Sequence, residues 1–119
     1  MQTDSPGLRL ASGIIAALRN HFGRRARNFA IHDIQENANL IAFSITFEIY
    51  DFYPLIFAYD RGFYGFAIDY GTRGITVLRD GDVPGGIDAM PAVAAELDRR
   101  VRVRIPDKYL DVYEPPPLP

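Results

Sequence analysis

Over residues 41–50 apolar and polar side chains alternate without a break. Ile41, Phe43, Ile45, Phe47 and Ile49 fall on one side, and Ala42, Ser44, Thr46, Glu48 and Tyr50 on the other. A period of two marks a β-strand with one buried and one wetter face, so helices are expected over the odd-numbered side. After the break at Phe52-Tyr53-Pro54, residues 55–59 are apolar on both sides, the pattern of a central strand. Arg61-Gly62 is suited to a turn into a strand over residues 63–70, where Gly65 marks a bulge or a close contact. Gly71-Thr72-Arg73-Gly74 turns the chain again into residues 75–78. Upstream, residues 29–34 read as a first strand, ended by the polar connection Glu36-Asn37-Ala38-Asn39. The result is a meander of four or five antiparallel strands.

Helical spacing flanks this block. Leu8, Leu10, Ala11, Ile14, Ile15, Leu18 and Phe22 recur three and four apart and predict a helix over residues 7–22. Ser5 and Pro6 supply its cap and first-turn proline, and Gly23 its stop. Beyond the loop of residues 80–86, Asp88 is expected to cap a second helix whose buried stripe is Met90, Val93, Ala94, Leu97 and Val101. Glu96 with Arg100 and Asp98 with Arg102 are acid-before-base pairs four apart, placed on its exposed side. Pro106 ends that helix, and residues 114–119 form a flexible proline-rich tail. The fold class is therefore α+β: one domain over residues 1–119, with a four- to five-stranded antiparallel sheet and an N-terminal and a C-terminal helix packed on it.

Composition narrows the function classes. With 119 residues, 48% apolar and 24% charged, the chain has ordinary globular usage and room for one core. It contains no cysteine, which removes disulfides and thiolate chemistry and makes the cytoplasm the default compartment. The apolar pattern over residues 8–18 is too short to span a bilayer, and no cleavage site follows it. Residues 1–30 hold five arginines against Asp4, a net of +4. Residues 31–98 hold eleven acids against Arg61, Arg73 and Arg79, a net of −8, and residues 99–119 return +2. A mid-chain belt of this sign repels nucleic acid and steers basic partners inward.

Catalytic patterns are weak. His21 and His32 have no ligand spacing around them, so no metal or cofactor is expected. Arg24, Arg25 and Arg27 can hold phosphate, but such a link more often neutralises a helix C-terminus. Gly81 and Gly85-Gly86 lie among Asp80, Asp82 and Asp88, which oppose a phosphate cradle. Glu48, Asp51, Asp60 and Asp69 lie near strand ends, where two acids converging on one bond would make a hydrolase. Eleven of the fifteen phenylalanines and tyrosines fall within residues 43–70, interleaved with those acids. Tyrosine is enriched at interface hot spots, which favours a binding surface over a catalytic pocket. The expected contacts are Glu48, Tyr50, Asp51, Tyr53, Asp60, Tyr64, Asp69, Tyr70, Asp80 and Asp82; the alternative for each tyrosine is a core ring with its hydroxyl at water.

Residues 94–110 add a resemblance. A helix ending in Leu97-Asp98, then alternating basic and apolar residues, then Arg104-Ile105-Pro106-Asp107-Lys108-Tyr109-Leu110, resembles the C-terminal part of immunity proteins of bacterial contact-dependent growth inhibition systems. The resemblance implies a small, non-enzymatic cytoplasmic antidote that binds the toxic domain of a delivered effector, often a nuclease, and covers its basic active-site surface. It implies no membrane and no direct nucleic-acid partner; the chain itself is expected to be a monomer or weak homo-oligomer. The alternatives are a small carboxylate-based hydrolase, or a non-catalytic subunit or adaptor of a larger assembly.

Overall fold

The computed structural model describes residues 5–38, 40–69 and 74–107. Asn39, Tyr70, residues 71–73 with their expected turn, and residues 108–119 with the expected proline-rich tail lie outside the described residues. In chain order the elements are helix α1 (Pro6–Phe22), strands β1 (Ala26–Asn37), β2 (Leu40–Ile49), β3 (Tyr53–Asp60), β4 (Phe63–Asp69) and β5 (Gly74–Arg79), and helix α2 (Met90–Arg102). All strand pairs are antiparallel and the sheet order follows the chain, β1-β2-β3-β4-β5, so β3 is central as its two-sided apolar pattern requires. The protein is an α+β fold with both helices on one face of the sheet. No helix among the described residues is long and apolar enough to cross a membrane.

The odd side of β2 is the core side. Phe43, Ile45, Phe47 and Ile49 are buried, and their register partners Tyr59, Phe57, Leu55 and Tyr53 continue that layer into β3. Phe57 and Phe66 pack with ring centroids 4.9 Å apart, and Phe47 meets Phe66 edge-on at 6.4 Å. Fully burying side chains of this size stabilises by ~1.5–3 kcal/mol each. Helix α1 lies over β1 and β2 through Ala11, Ile14, Ile15, Leu18 and Phe22. Helix α2 packs beside α1 and against β5 through the predicted stripe of Met90, Val93, Ala94, Leu97 and Val101.

Ser5 caps α1 as expected, its hydroxyl accepting from the Leu8 N–H. Glu36 of β1 completes this end, accepting from the Ser5 hydroxyl at 2.6 Å and from the Gly7 N–H. Gly7 permits that approach, because a Cβ there would sit 2.8 Å from the Glu36 carboxylate. Arg61 (φ 52°) and Gly62 (φ 96°) form the tight β3–β4 turn.

Three local expectations change. Strand β1 is twice the predicted length, because register shifts between Arg27 and Ala30 and between His32 and Gln35 interrupt its alternation. Asn28 and Asp33, both with positive φ, lie at those bulges. Asp88 does not cap α2: it sits in a one-turn 3-10 helix (Gly86–Ala89), and α2 begins at Met90 with no side-chain cap. Helix α2 also ends at Arg102, four residues before Pro106, with Val103 to Ile105 in turns.

Candidate protein-docking surface

The expected tyrosine-and-acid surface divides into a core part and a rim. Tyr50 does not stay on the wetter side of β2. Tyr50 and Asp51 both take left-handed backbone (φ 57° and 54°), closing a turn with the Phe52 N–H donating to the Ile49 carbonyl. The strand alternation therefore stops at Ile49, and the Tyr50 ring turns under the helices to full burial. Its hydroxyl donates to Asp98 Oδ1 at 2.6 Å, and burial together with that carboxylate raises its pKa above the ordinary tyrosine value.

Asp98 is likewise not on the exposed side of α2. It is buried, with Oδ2 2.9 Å from His21 Nε2 and 3.3 Å from Arg25 Nη1. Arg25 also donates to the Tyr50 oxygen at 3.2 Å and to the His21 and Phe22 carbonyls at 2.6 and 2.8 Å. Arg25 thus neutralises the C-terminus of α1, as its position suggested. The cluster ties α1, the β2–β3 turn and α2 together, and composition gave no signal for it beyond an aspartate at a helix position.

Two further tyrosines leave the expected surface. Tyr64 is buried, stacked on Phe57 at 6.0 Å, and its hydroxyl has no partner among the described residues. Burial, then Asp80 and Asp82, raise its pKa. Tyr53 is half-buried, and its hydroxyl donates to the Arg104 carbonyl at 3.0 Å. Asp82 accepts from the Arg79 N–H at 2.9 Å and from Arg100 Nη1 at 2.8 Å, which lowers its carboxyl pKa and makes it a link between β5 and α2. Asp80 is half-buried in the same loop, its N–H donating to the Tyr64 carbonyl.

Glu48, Asp51, Asp60 and Asp69 do not converge. Glu48 and Asp51 share Arg27, at 4.0 and 2.6 Å, and Glu48 also accepts from Asn28 at 3.0 Å. They flank a shallow hollow of about 200 Å³ with Phe52, Tyr53 and Pro54. Asp69 lies at the same end of the sheet on β4, two strand spacings or roughly 10 Å from β2. Asp60 lies at the opposite end of β3, roughly 20 Å from Pro54, and is held by Arg61 at 2.9 Å.

What these carboxylates rim is the second face of the sheet, which no described element covers. Its inner rows are Ala42, Ser44 and Thr46 on β2, Ile56 and Ala58 on β3, and Gly65 and Ala67 on β4, with Thr76 on β5. These side chains are half-buried or exposed and uncharged, and all but Ile56 are short. A depression of about 240 Å³ runs over Ile56, Ala58, Gly65, Ala67 and Thr76. At the Asp60 end stand two exposed apolar side chains, Phe63 at 73% and Leu40 at 47%. The sequence pattern marked the even side of β2 as wetter; that this side is small and flat across three strands emerges only from the register. No family model, curated protein or solved structure matches this chain.

Proposed function

We propose that the protein is a non-catalytic antidote that binds the toxic domain of a delivered effector, a nuclease domain being the class that fits best, and neutralises it by covering its basic active-site surface in the cytoplasm. The carrying observation is the open sheet face. An antiparallel sheet that meets water on its second face ordinarily presents polar side chains there. Here the inner rows are alanine, glycine, isoleucine and short hydroxyl residues, and on β2, β3 and β4 charge is confined to the strand ends. Such a surface gains by docking against another protein, with Glu48, Asp51 and Asp69 at one end complementing basic groups. The resemblance of residues 94–110 to growth-inhibition immunity proteins points the same way. The arginine already held by Glu48 and Asp51 favours binding over acid–base turnover at that pair.

The test is co-expression with an effector toxic domain taken from a neighbouring gene. Restored growth and a 1:1 complex are expected, with Ala58→Arg losing protection while its melting temperature stays unchanged. If the toxin kills equally with and without the protein, the antidote reading fails. If Ala58→Arg still protects, the sheet face is not the contact.

A further inference from the structure

Gly65 stands in the interior of β4, on the open face, with Ala58 directly opposite it on β3. A glycine inside a strand is destabilising relative to alanine, so its place there calls for a reason. The backbone supplies none. Gly65 is not left-handed, and a Cβ built on it would meet only the Leu78 carbonyl oxygen, at an ordinary contact distance of 3.4 Å. The register shift of this strand pair lies past it, between Phe66 and Ala67. What the missing side chain does create is the floor of the depression, with Ile56, Ala67 and Thr76 around it. Its volume of about 240 Å³ exceeds the ~150 Å³ in which an apolar cavity holds benzene.

Two neighbours select what this hollow holds. Phe63, two residues earlier on the same face of β4, is 73% exposed, and its ring meets no other ring among the described residues. Arg79 is the register partner of Gly65 on β5, and its guanidinium makes no hydrogen bond or ion pair among the described residues. The other described charges nearby are engaged: Asp60, two residues along β3 from Ala58, is held by Arg61, and Asp80 acts on the buried Tyr64 hydroxyl of the helix side. A cation seated over Gly65 would face the like charge of Arg79. A carboxylate can reach Arg79 but leaves the apolar floor unfilled, and an aliphatic chain fills the floor but makes no use of Arg79. An aromatic ring uses all three, with the Phe63 ring beside it and the guanidinium toward its negative face. We propose that the depression over Gly65 is the anchor pocket of the docking face and receives one aromatic side chain of the protein partner. This rests on the reading of that face as a docking surface, and adds what the partner presents within its basic surface: a phenylalanine, tyrosine or tryptophan. Aromatic anchors seated in such pockets carry much of the energy of specific interfaces.

The measurement is titration of the isotope-labelled full chain with N-acetyl-tryptophanamide, and separately with the corresponding amides of leucine, arginine and glutamate, followed by backbone amide NMR shifts. The tryptophan probe is expected to move the amides of Ala58, Gly65 and Thr76 with a dissociation constant in the millimolar range, and to bind roughly fivefold tighter than the other three or better. No saturable shift at those residues, or an equal or stronger response to leucine, arginine or glutamate, overturns the inference. Gly65→Ala is expected to melt at or above the temperature of the parent chain; a lower melting temperature would mean that the fold itself requires this glycine, and also overturns it. Gly65→Val and Ala58→Leu fill the depression from two different strands, and each is expected to stay folded and to lose the tryptophan shifts. Shifts that persist in either folded variant place the probe elsewhere and count against the pocket. Tryptophan binding by a chain that gives no protection against the toxic domain defeats the antidote reading alone. A Gly65→Val chain that still protects, with the depression closed, defeats the anchor alone.

Discussion

Asp98 has more structural consequence than any other charged side chain described. Its two oxygens take the Tyr50 hydroxyl on one side and His21 and Arg25 on the other, in a cluster that joins α1, the β2–β3 turn and α2. Removing one member of a buried ionic group leaves the others uncompensated, so Asp98→Ala is expected to cost ~3–5 kcal/mol. Tyr50→Phe withdraws the hydrogen bond donated to Asp98 and the one accepted from Arg25, and is expected to cost ~1–3 kcal/mol. Urea unfolding followed by circular dichroism measures both; a Tyr50→Phe loss no larger than that of Tyr53→Phe would show that the cluster adds nothing. Tyr64→Phe should behave oppositely. Its hydroxyl is buried without a described partner, so its deletion is expected to leave stability unchanged or raise it by up to ~1 kcal/mol. The buried rings fall within the core alternative given for each tyrosine, but the environment of the two hydroxyls was not legible in the chain. Tyr50 follows the even side of β2 in sequence, and only the two left-handed residues at the turn carry it to the other face.

Elements announced by an uninterrupted period were read to within a few residues. The stripe of α1, the alternation of β2 and the apolar run of β3 each extend through most of the segment, so burial on one face dictates both conformation and register. β1 was read at half its length because its bulges each add a residue and reverse the alternation. The start of α2 was misplaced because Asp88 is a good capping residue type, yet the 3-10 turn places it one turn too early. Several hydrogen bonds and ion pairs within and between these elements end on carboxylates, which gives stability a direction with pH. Arg99, then Arg100, hold the Glu96 carboxyl down to a pKa of about 2. Glu36 at the start of α1 is lowered by Ser5 and the Gly7 N–H, and Asp82 by the Arg79 N–H and Arg100. A pKa lower in the folded than in the unfolded chain gives stabilisation that is complete above the unfolded value near 4.5 and is lost as pH falls through the folded value. Melting temperature is therefore expected to be level from pH 7 to about 5 and to fall between about 4.5 and 2. Glu96→Gln should shallow that fall; an identical acid profile in the variant would remove Glu96 from the account.

At the scale of the whole molecule, the two faces of one sheet carry separate tasks, and substitutions should separate them. The helix-side face is a continuous layer from α1 through the aromatic residues of β2, β3 and β4 to α2, with Leu97 fully buried between α2 and the sheet. Leu97→Ala opens a cavity there and is expected to cost ~2–5 kcal/mol. Ala58 occupies the same sheet one strand position away from the fully buried Phe57, but on the opposite face and exposed to solvent. Surface changes away from special backbone or buried partners ordinarily stay within ~0.5 kcal/mol, so Ala58→Arg should unfold at the same urea concentration as the parent chain. Its effect should fall on association, because a long cation in the middle of a flat, short-chain surface holds any opposing sheet or helix away and leaves a buried charge unpaired. The pair of variants thus predicts a crossed result: Leu97→Ala unstable but, where folded, fully competent to associate, and Ala58→Arg stable but unable to. Unfolding midpoints of both variants, and the solution mass of each mixed with the toxic domain, check it. A drop in stability for Ala58→Arg comparable to that of Leu97→Ala would mean that the second face is part of the folding core, and the division of labour across the sheet would not hold.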